Sequence, residues 1–359
     1  MTEKKNQHYI PKFYLRNFSY NANEKQIGLY NIFNSFFFQQ AKLKTQGSKN
    51  FYYGKDGQVE DYLSELEGRF AKIVKDIISN QQLPKKLSNE HFELLSFLVF
   101  TDLRNPVRIE SMKGMFSEME KRLIELDENV NIEKFVPKMS HEESIGMSFS
   151  MIPEMILNIA DLEYKLLINE TKIPFISSDF PVVKYNQYLE LKKWQHSKTG
   201  FATVGLQIFI PLNHKLVILF FDSSIYKVGN RKQICVPISQ TNSINEINKL
   251  QFINCFETIY FDEKISEDYI RNLHEASKKY KRANQSKSEL SYIVHEGEDS
   301  EKIISGKQNL MIFNSSDCET NLKVDIIKIH SNGKAHKLNS TMAQSRKFPS
   351  SLREIKNSH

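Results

Sequence analysis

FATVGLQIFIPLNHKLVILFFD, residues 201–222, sets two runs of β-forming apolar residues on either side of Asn213-His214. Such runs, parted by a short polar break, read as two antiparallel strands joined by a tight turn. Within the second run Leu216 to Phe221 (LVILFF) has no polar member and is the longest fully apolar run of the chain. It is far shorter than the roughly 20 residues that cross a bilayer. Around this pair, LEYKLLI (162–168), PFISSDFPVV (174–183), ICVPI (234–238) and TIYF (258–261) read as further strands. A helix, NSINEINKLQFINCF, starts at Thr241 or Asn242, and a basic helix runs from about Glu267 to Ala283. Short strands at close spacing, mostly without helical crossovers, predict a mainly antiparallel sheet.

The half of the chain before Asp161 reads differently. From Val59 to Ile78, the residues Val59, Leu63, Leu66, Phe70, Ile73 and Ile77 recur at helical spacing. Ser88 caps a second helix, HFELLSFLVFTDLR, which is apolar nearly all round and therefore buried. Asn105-Pro106 ends it and starts a third helix, to about Leu126. A fourth spans about His141 to Ala160, with Met147, Met151 and Met155 as core filling. Upstream, Gln26–Gln40 reads as a hairpin, and Pro11 opens a short helix in PKFYLRNF. The expected fold class is α+β. A helical N-terminal half packs on a mainly antiparallel sheet with helices, and a basic C-terminal appendage follows. The expected boundaries are a main domain over 1–288, a small β-rich extension over 289–338 and a basic, disordered tail over 339–359.

Composition bounds the function. In 359 residues, 40% are apolar, with 25 phenylalanines and 15 tyrosines, enough for a large core. The opening MTEKKNQ is polar, unlike a secretory signal. Cys235, Cys255 and Cys318 lie far apart in no metal-ligand spacing, which predicts a reducing, cytoplasmic setting. The net charge is +6, and from Ser331 to His359 six basic residues (Lys334, Lys337, Arg346, Lys347, Arg353, Lys356) face one acid, Glu354. That tail reads either as a solubilising segment or as a phosphate-attracting patch. The chain has no Gly-rich phosphate loop, no Gly-x-Gly-x-x-Gly, no Gly-x-Ser-x-Gly, no His-Glu-x-x-His and no Cys-x-x-Cys. P-loop NTPases, Rossmann dehydrogenases, α/β-hydrolases and zincins are thereby set aside.

Four places put polar groups against apolar surface. In QHYIPKFYLRNF (7–18), His8 is an acid, base or ligand near neutral pH, with Arg16 further along; equally, both hold a packed lid in place. Glu60 and Glu67 are two helical turns apart and project the same way, with Glu67 at the margin of the apolar stripe. They bind a metal, share proton work, or simply face solvent or a lysine such as Lys75. In TDLRNP (101–106), Asp102 continues the stripe of Phe92 and Leu95 and so needs a partner. Arg104 faces elsewhere and needs a different one, or binds an anion. In SSDFPV (177–182), Ser178 and Asp179 end a strand, where open sheets place functional groups, or else bond the turn backbone.

These four places occur in the same order in a family of bacterial proteins. HYIPKFYLRNF, VEDYLSELEG, LRNP and ISSDFPV together resemble the DUF4238 family, a domain of unknown function. The resemblance runs from about Gln7 to Phe261 and includes an Asn near Asn248 before an aromatic strand. The usual opening has two histidines, and Gln7 replaces the first. The usual turn is Ser-Asp-Asn-Pro, and Phe180 replaces its Asn. Neither is expected to be functional. The resemblance implies no activity, but it raises the functional reading of His8, Arg16, Glu60, Glu67, Arg104 and Asp179. The opening stretch is expected to dock and close one wall of a cleft.

The function expected is an intracellular phosphodiester-cleaving enzyme, a nuclease-type effector of bacterial defence or a toxin. His8 is its acid or base. Glu60, Glu67 and Asp179 bind a divalent cation such as Mg or Mn or activate water. Arg16, Arg104, Ser178 and Asn248 hold the substrate, and nucleic acid is the expected partner. The alternative is a non-catalytic module that binds a ligand or partner through the same polar cleft.

Overall fold

The computed structural model describes residues 5–346, apart from 56–57, 127, 130, 195–196, 283–286, 293–309, 316–317, 336–337 and 339–344. The decisive pair forms as read. Strands β8 (Gln207–Pro211) and β9 (Leu216–Phe221) are antiparallel, with Ile210 opposite Ile218. Asn213 shapes the turn by accepting hydrogen bonds from the amides of Lys215 and Leu216.

The unbroken apolarity of β9 has a direct cause. Leu216, Ile218 and Phe220 point into one core, and Val217, Leu219 and Phe221 point into another. A strand with two dry faces has no room for a polar position. β9 sits in the middle of a five-stranded sheet with β5 (Glu163–Asn169), β7 (Val183–Tyr185), β8 and β11 (Cys235–Ile238), in the order β11-β5-β9-β8-β7. Only the β11–β5 pair within it is parallel.

One face of the sheet is covered by the helical half: α1 (Lys12–Arg16), α2 (Gln58–Asn80), α3 (Asn89–Leu103), α4 (Pro106–Leu126), α5 (His141–Ser150) and α6 (Ile152–Ile159). Ser88 caps α3 as expected, its hydroxyl accepting from the amide of His91. The single helix expected over 141–160 is two. Pro153 lacks an N–H and its ring crowds the carbonyl four residues back, so the chain breaks at Met151. The other face is covered by α7 (Gln187–Leu191), by α8 (Thr241–Asn254), and by Cys318, Leu322, Val324 and Ile327.

A second sheet, in the order β3-β2-β12-β6, is antiparallel throughout. It joins the early hairpin β2 (Gln26–Asn31) and β3 (Phe36–Lys42) to β12 (Thr258–Phe261) and β6 (Ser177–Ser178). Its far side packs on α8 and α9 (Glu267–Ser277) through Tyr30, Phe252, Phe261 and Ile270. The fold is α+β. No helix among the described residues is long and apolar enough to cross a membrane.

The C-terminal part is tied into this body. Ile327–Ile329 forms a strand paired with β10 (Tyr226–Val228). Arg346, counted above in the basic tail, is buried. It grips Asp161 with a two-pronged contact, Nε to Oδ2 at 2.8 Å and Nη2 to Oδ1 at 3.0 Å. It also donates to the carbonyls of Asn158, Phe201 and Thr203. So saturated a guanidinium has nothing left for a phosphate. Residues 347–359, including Lys347, Arg353 and Lys356, lie outside the described residues, as does Lys337. Arg346→Ala leaves Asp161 without its partner, and removing one member of a buried pair costs about 3–5 kcal/mol. A urea unfolding series is expected to show that loss with the slope unchanged.

Candidate functional site

The opening stretch is part of the core. Tyr14 is fully buried, and its hydroxyl donates to the carbonyl of Pro211 while pairing with Ser177 Oγ, both at 2.7 Å. Its ring and that of Phe13 lie against Phe97 of α3. Just before, β1 (Asn6–His8) pairs with β4 (Ser48–Asn50). Gly47 lies between, at φ +58°, and its carbonyl accepts from the amides of Tyr9 and Ile10. A side chain there would be strained and would meet Ile10 at 2.8 Å. Gln7 spends both ends of its amide on one turn, donating to Gly54 O and accepting from Tyr53 N. Its role is to staple that turn.

His8 is 4% exposed. Its Nε2 lies 3.2 Å from the carbonyl of Lys44, and its Nδ1 is buried with no partner. A carbonyl accepts only, so Nε2 carries the proton and Nδ1 keeps a lone pair. Burial pushes the imidazole down to about 4, helped by Lys12 and, more weakly, Arg104, against the Lys44 carbonyl. His8 is therefore neutral at pH 7 with an open lone pair on Nδ1, and the same burial makes it a weaker base than a free histidine.

Arg104 caps the C-terminal end of α3 and is 2% exposed. Its Nη1 donates to Glu67 Oε1 at 2.8 Å, and its Nε is buried without a partner. Burial opposes its charge, but Tyr53, Glu67 and Glu60 outweigh that and hold the guanidinium above its ordinary range. Glu67 thus pairs with a buried arginine and not with a surface lysine. Glu60, two turns earlier, acts on the same cation, as the shared projection of the two acids implied. Two tyrosines close the frame. Tyr52 donates to the carbonyl of Arg104 at 2.9 Å, and Tyr53 to that of His8 at 3.1 Å.

Asp102 and Arg104 find separate partners, as their positions on the helix required. Asp102 is completely buried between Arg108 (3.1 Å) and Lys184 (3.2 Å). Burial pushes its carboxyl up, and the two cations overcome this and hold it below the usual range. Asp179 accepts from the amides of Phe256, Glu257 and Thr258 at 2.7–2.9 Å. Burial nevertheless raises it to about 6, opposed by those three bonds. Its own carbonyl accepts from Asn105 Nδ2 at 2.7 Å, so LRNP and SSDFP touch directly.

The remaining expected residues do other work. Ser178 donates to Gln251 Oε1 at 2.8 Å and supports the amide of Phe180. Asn248 accepts from Ile176 N and donates to Pro174 O and Tyr269 Oη. Both are fully buried and lock α8 to the strand that leads into the turn. Arg16 is exposed at the end of α1 and faces Glu24 at 3.7 Å, apart from the others, because α1 turns its buried face inward through Tyr14 and Leu15.

The four polar places therefore meet. His8, Glu60, Glu67, Arg104 and Asp179 belong to one neighbourhood, and Arg16, Ser178 and Asn248 lie outside its chemistry. The grouping of Glu60, Glu67 and Asp179 around a divalent cation is not what the geometry gives. Glu67 is engaged by Arg104, Asp179 by three amides, and among the described residues no three His, Cys, Asp or Glu side chains are placed to hold a metal. Tyr52, Tyr53 and the Lys44 carbonyl escaped the sequence reading. Their one signal was the pair of tyrosines in a loop otherwise rich in Gly, Ser and Lys.

The His8 environment sets a pH dependence. Folding holds the ring neutral where an unfolded histidine takes up a proton, so its contribution to stability falls as pH drops from 6.5 to about 4. Asp179, raised to about 6, acts in the opposite sense: its contribution is full below 3.8 and lost as pH rises through 6. Comparison with His8→Gln isolates the histidine. The stability advantage of wild type over the variant is expected to shrink by about 3 kcal/mol between pH 6.5 and 4, measured by urea unfolding.

No curated protein and no solved structure matches the chain. Residues 6–264, which contain every group of this neighbourhood, match the family described as a protein of unknown function (DUF4238), and the chain belongs to that family.

Proposed function

We propose that the chain is an enzyme that acts on phosphodiesters, of nuclease type, with His8 as general base and Arg104 as the group that meets the phosphate. One observation carries this reading: a neutral, buried imidazole with a free Nδ1 lies near a buried guanidinium with a free Nε. A base of this kind takes the proton of an attacking hydroxyl or water. A desolvated, preorganised cation stabilises the charge that builds on phosphoryl oxygens. Glu67 orients Arg104 by taking one of its donors and Tyr53 bears on it as well, which leaves the buried Nε without a partner. Asp179 is a positioning residue here. It fixes the chain entering β12, and its carbonyl holds Asn105 beside Arg104.

A second reading has its own support. Gln7, Ser178 and Asn248 are spent on internal hydrogen bonds, so much of the polar pattern serves the scaffold. On that reading the site binds an anion and does not cleave it.

The two separate in one assay. Folded protein is incubated with tRNA, mRNA, and single-stranded and duplex DNA, in Mg²⁺, Mn²⁺ or EDTA. Wild type is expected to cleave at least one of them. His8→Gln and Arg104→Lys are expected to lose about 10²-fold or more in rate while keeping their circular dichroism. The acid limb of the wild-type pH–rate profile is expected near 4, not 6.5, if His8 must be neutral. No cleavage by folded wild-type protein under any condition would leave the binding reading.

A further inference from the structure

The excess charge was assigned above to the tail, but a larger share lies at the other end. Residues 5–55 carry eight basic side chains and one acid, Glu24, a net of +7 against +6 for the whole chain. Arg16 takes Glu24. The other seven are lysines, all exposed, and among the described residues none has an acidic partner. Four of them belong to the segments that hold His8, and Lys12 acts on its charge directly. Lys44 supplies the carbonyl that His8 and Asn6 bond, Lys49 lies opposite Gln7 in the β1–β4 pair, the carbonyl of Lys5 bonds Phe51, and Lys12 opens α1. Unpaired like charges repel one another, and an anion is what relieves them.

β3, the strand that runs into the segment of Lys44, carries two exposed aromatic rings. Phe36 and Phe38, 54% and 47% exposed, stack with centroids 6.1 Å apart on β3, the edge strand of the second sheet. The register shows where they lead. Phe38, Leu29 and Tyr260 are cross-strand neighbours, and so are Phe36, Asn31 and Thr258. The inner ends of these rows are already in the site: Thr258 gives its amide to Asp179, and Tyr260 lies in the core beside Tyr9. Two strand spacings, about 10 Å, separate the outer rings from these inner residues.

We infer that this face binds single-stranded nucleic acid, with unpaired bases stacked on Phe36 and Phe38 and the phosphate backbone running over Lys44, Lys49 and Lys12 towards His8 and Arg104. The inference names the substrate class for the enzyme proposed above and rests on that reading for the direction of the strand. Flat exposed rings next to unpaired cations are the two elements that grip a single strand without regard to sequence. A duplex hides its base faces and offers the rings nothing.

The test reads binding alone. Full-length protein in EDTA is titrated into fluorescein-labelled oligo(U), oligo(dT) and a mixed-sequence DNA duplex, and anisotropy is followed across salt concentrations. A single strand is expected to bind about tenfold or more tightly than the duplex. Which of oligo(U) and oligo(dT) binds better decides between RNA and DNA. Phe36→Ala with Phe38→Ala is expected to weaken single-strand binding about tenfold or more while leaving the salt slope intact. Lys44→Gln with Lys49→Gln is expected to reduce the slope of log K against log salt by about 1.4. No binding, equal binding of the duplex, or binding unchanged in both double variants would overturn the inference; the last would place the nucleic acid elsewhere, such as on the basic tail. Binding that follows these expectations without cleavage would refute the enzyme and keep the surface.

Discussion

β9 is buried on both of its faces. That condition organises everything around it. A strand apolar on both faces needs two separate covers, and the chain supplies them in order. The helices before Asp161 close one face, and α7, α8 and the segment around Leu322 close the other. Because the sheet is sealed, the chain entering and leaving it must satisfy its backbone polar groups inside the protein. The buried side chains Asp179, Asn248, Gln251 and Asn254 do this, each bonding the main chain of a neighbouring segment.

This explains why polar patterns mislead in such a fold. SSDFP looks like a strand end that presents functional groups. In the folded chain, Ser178 and Asp179 have every oxygen engaged within the protein. His8 and Arg104 show the opposite condition, which they share with His91 and Gln207: each is buried and keeps one nitrogen unsatisfied. Only His8 and Arg104 bring two such groups into one neighbourhood. An orphaned donor or acceptor costs a folded protein stability, so it asks for a reason in a way that a saturated one does not. Glu67 stands between the two cases, because it neutralises Arg104 through a single nitrogen.

Periodicity carried most of the architecture. The stripe of Val59 to Ile77, the Asn105-Pro106 boundary and the Asn213 turn each rest on local geometry, and each appears where local geometry puts it. The break at Met151 was equally local, since Pro153 stood in plain view. The partners were not legible. That Asp102 and Arg104 must part company follows from a helical wheel, but Arg108, Lys184 and Glu67 as their partners depend on how distant segments pack. Arg346 shows the limit most sharply. In a run of lysines and arginines it reads as one more solvated charge, and only the fold reveals a socket of one carboxylate and three carbonyls waiting for it.

That socket bears on how the protein is made. Its walls, at Asn158, Asp161 and the 201–203 loop, are synthesised long before the arginine that fills them. The strand of Ile327–Ile329 and the cover around Leu322 are likewise late. During translation, one face of the central sheet, covered by α7 and α8, therefore lacks the last part of its cover until nearly all of the described chain has been made. Nascent chains with such exposed surface are prone to aggregate and draw on chaperones. The final stretch thus acts as a latch on assembly, and a premature stop there would be as damaging as a hole in the core.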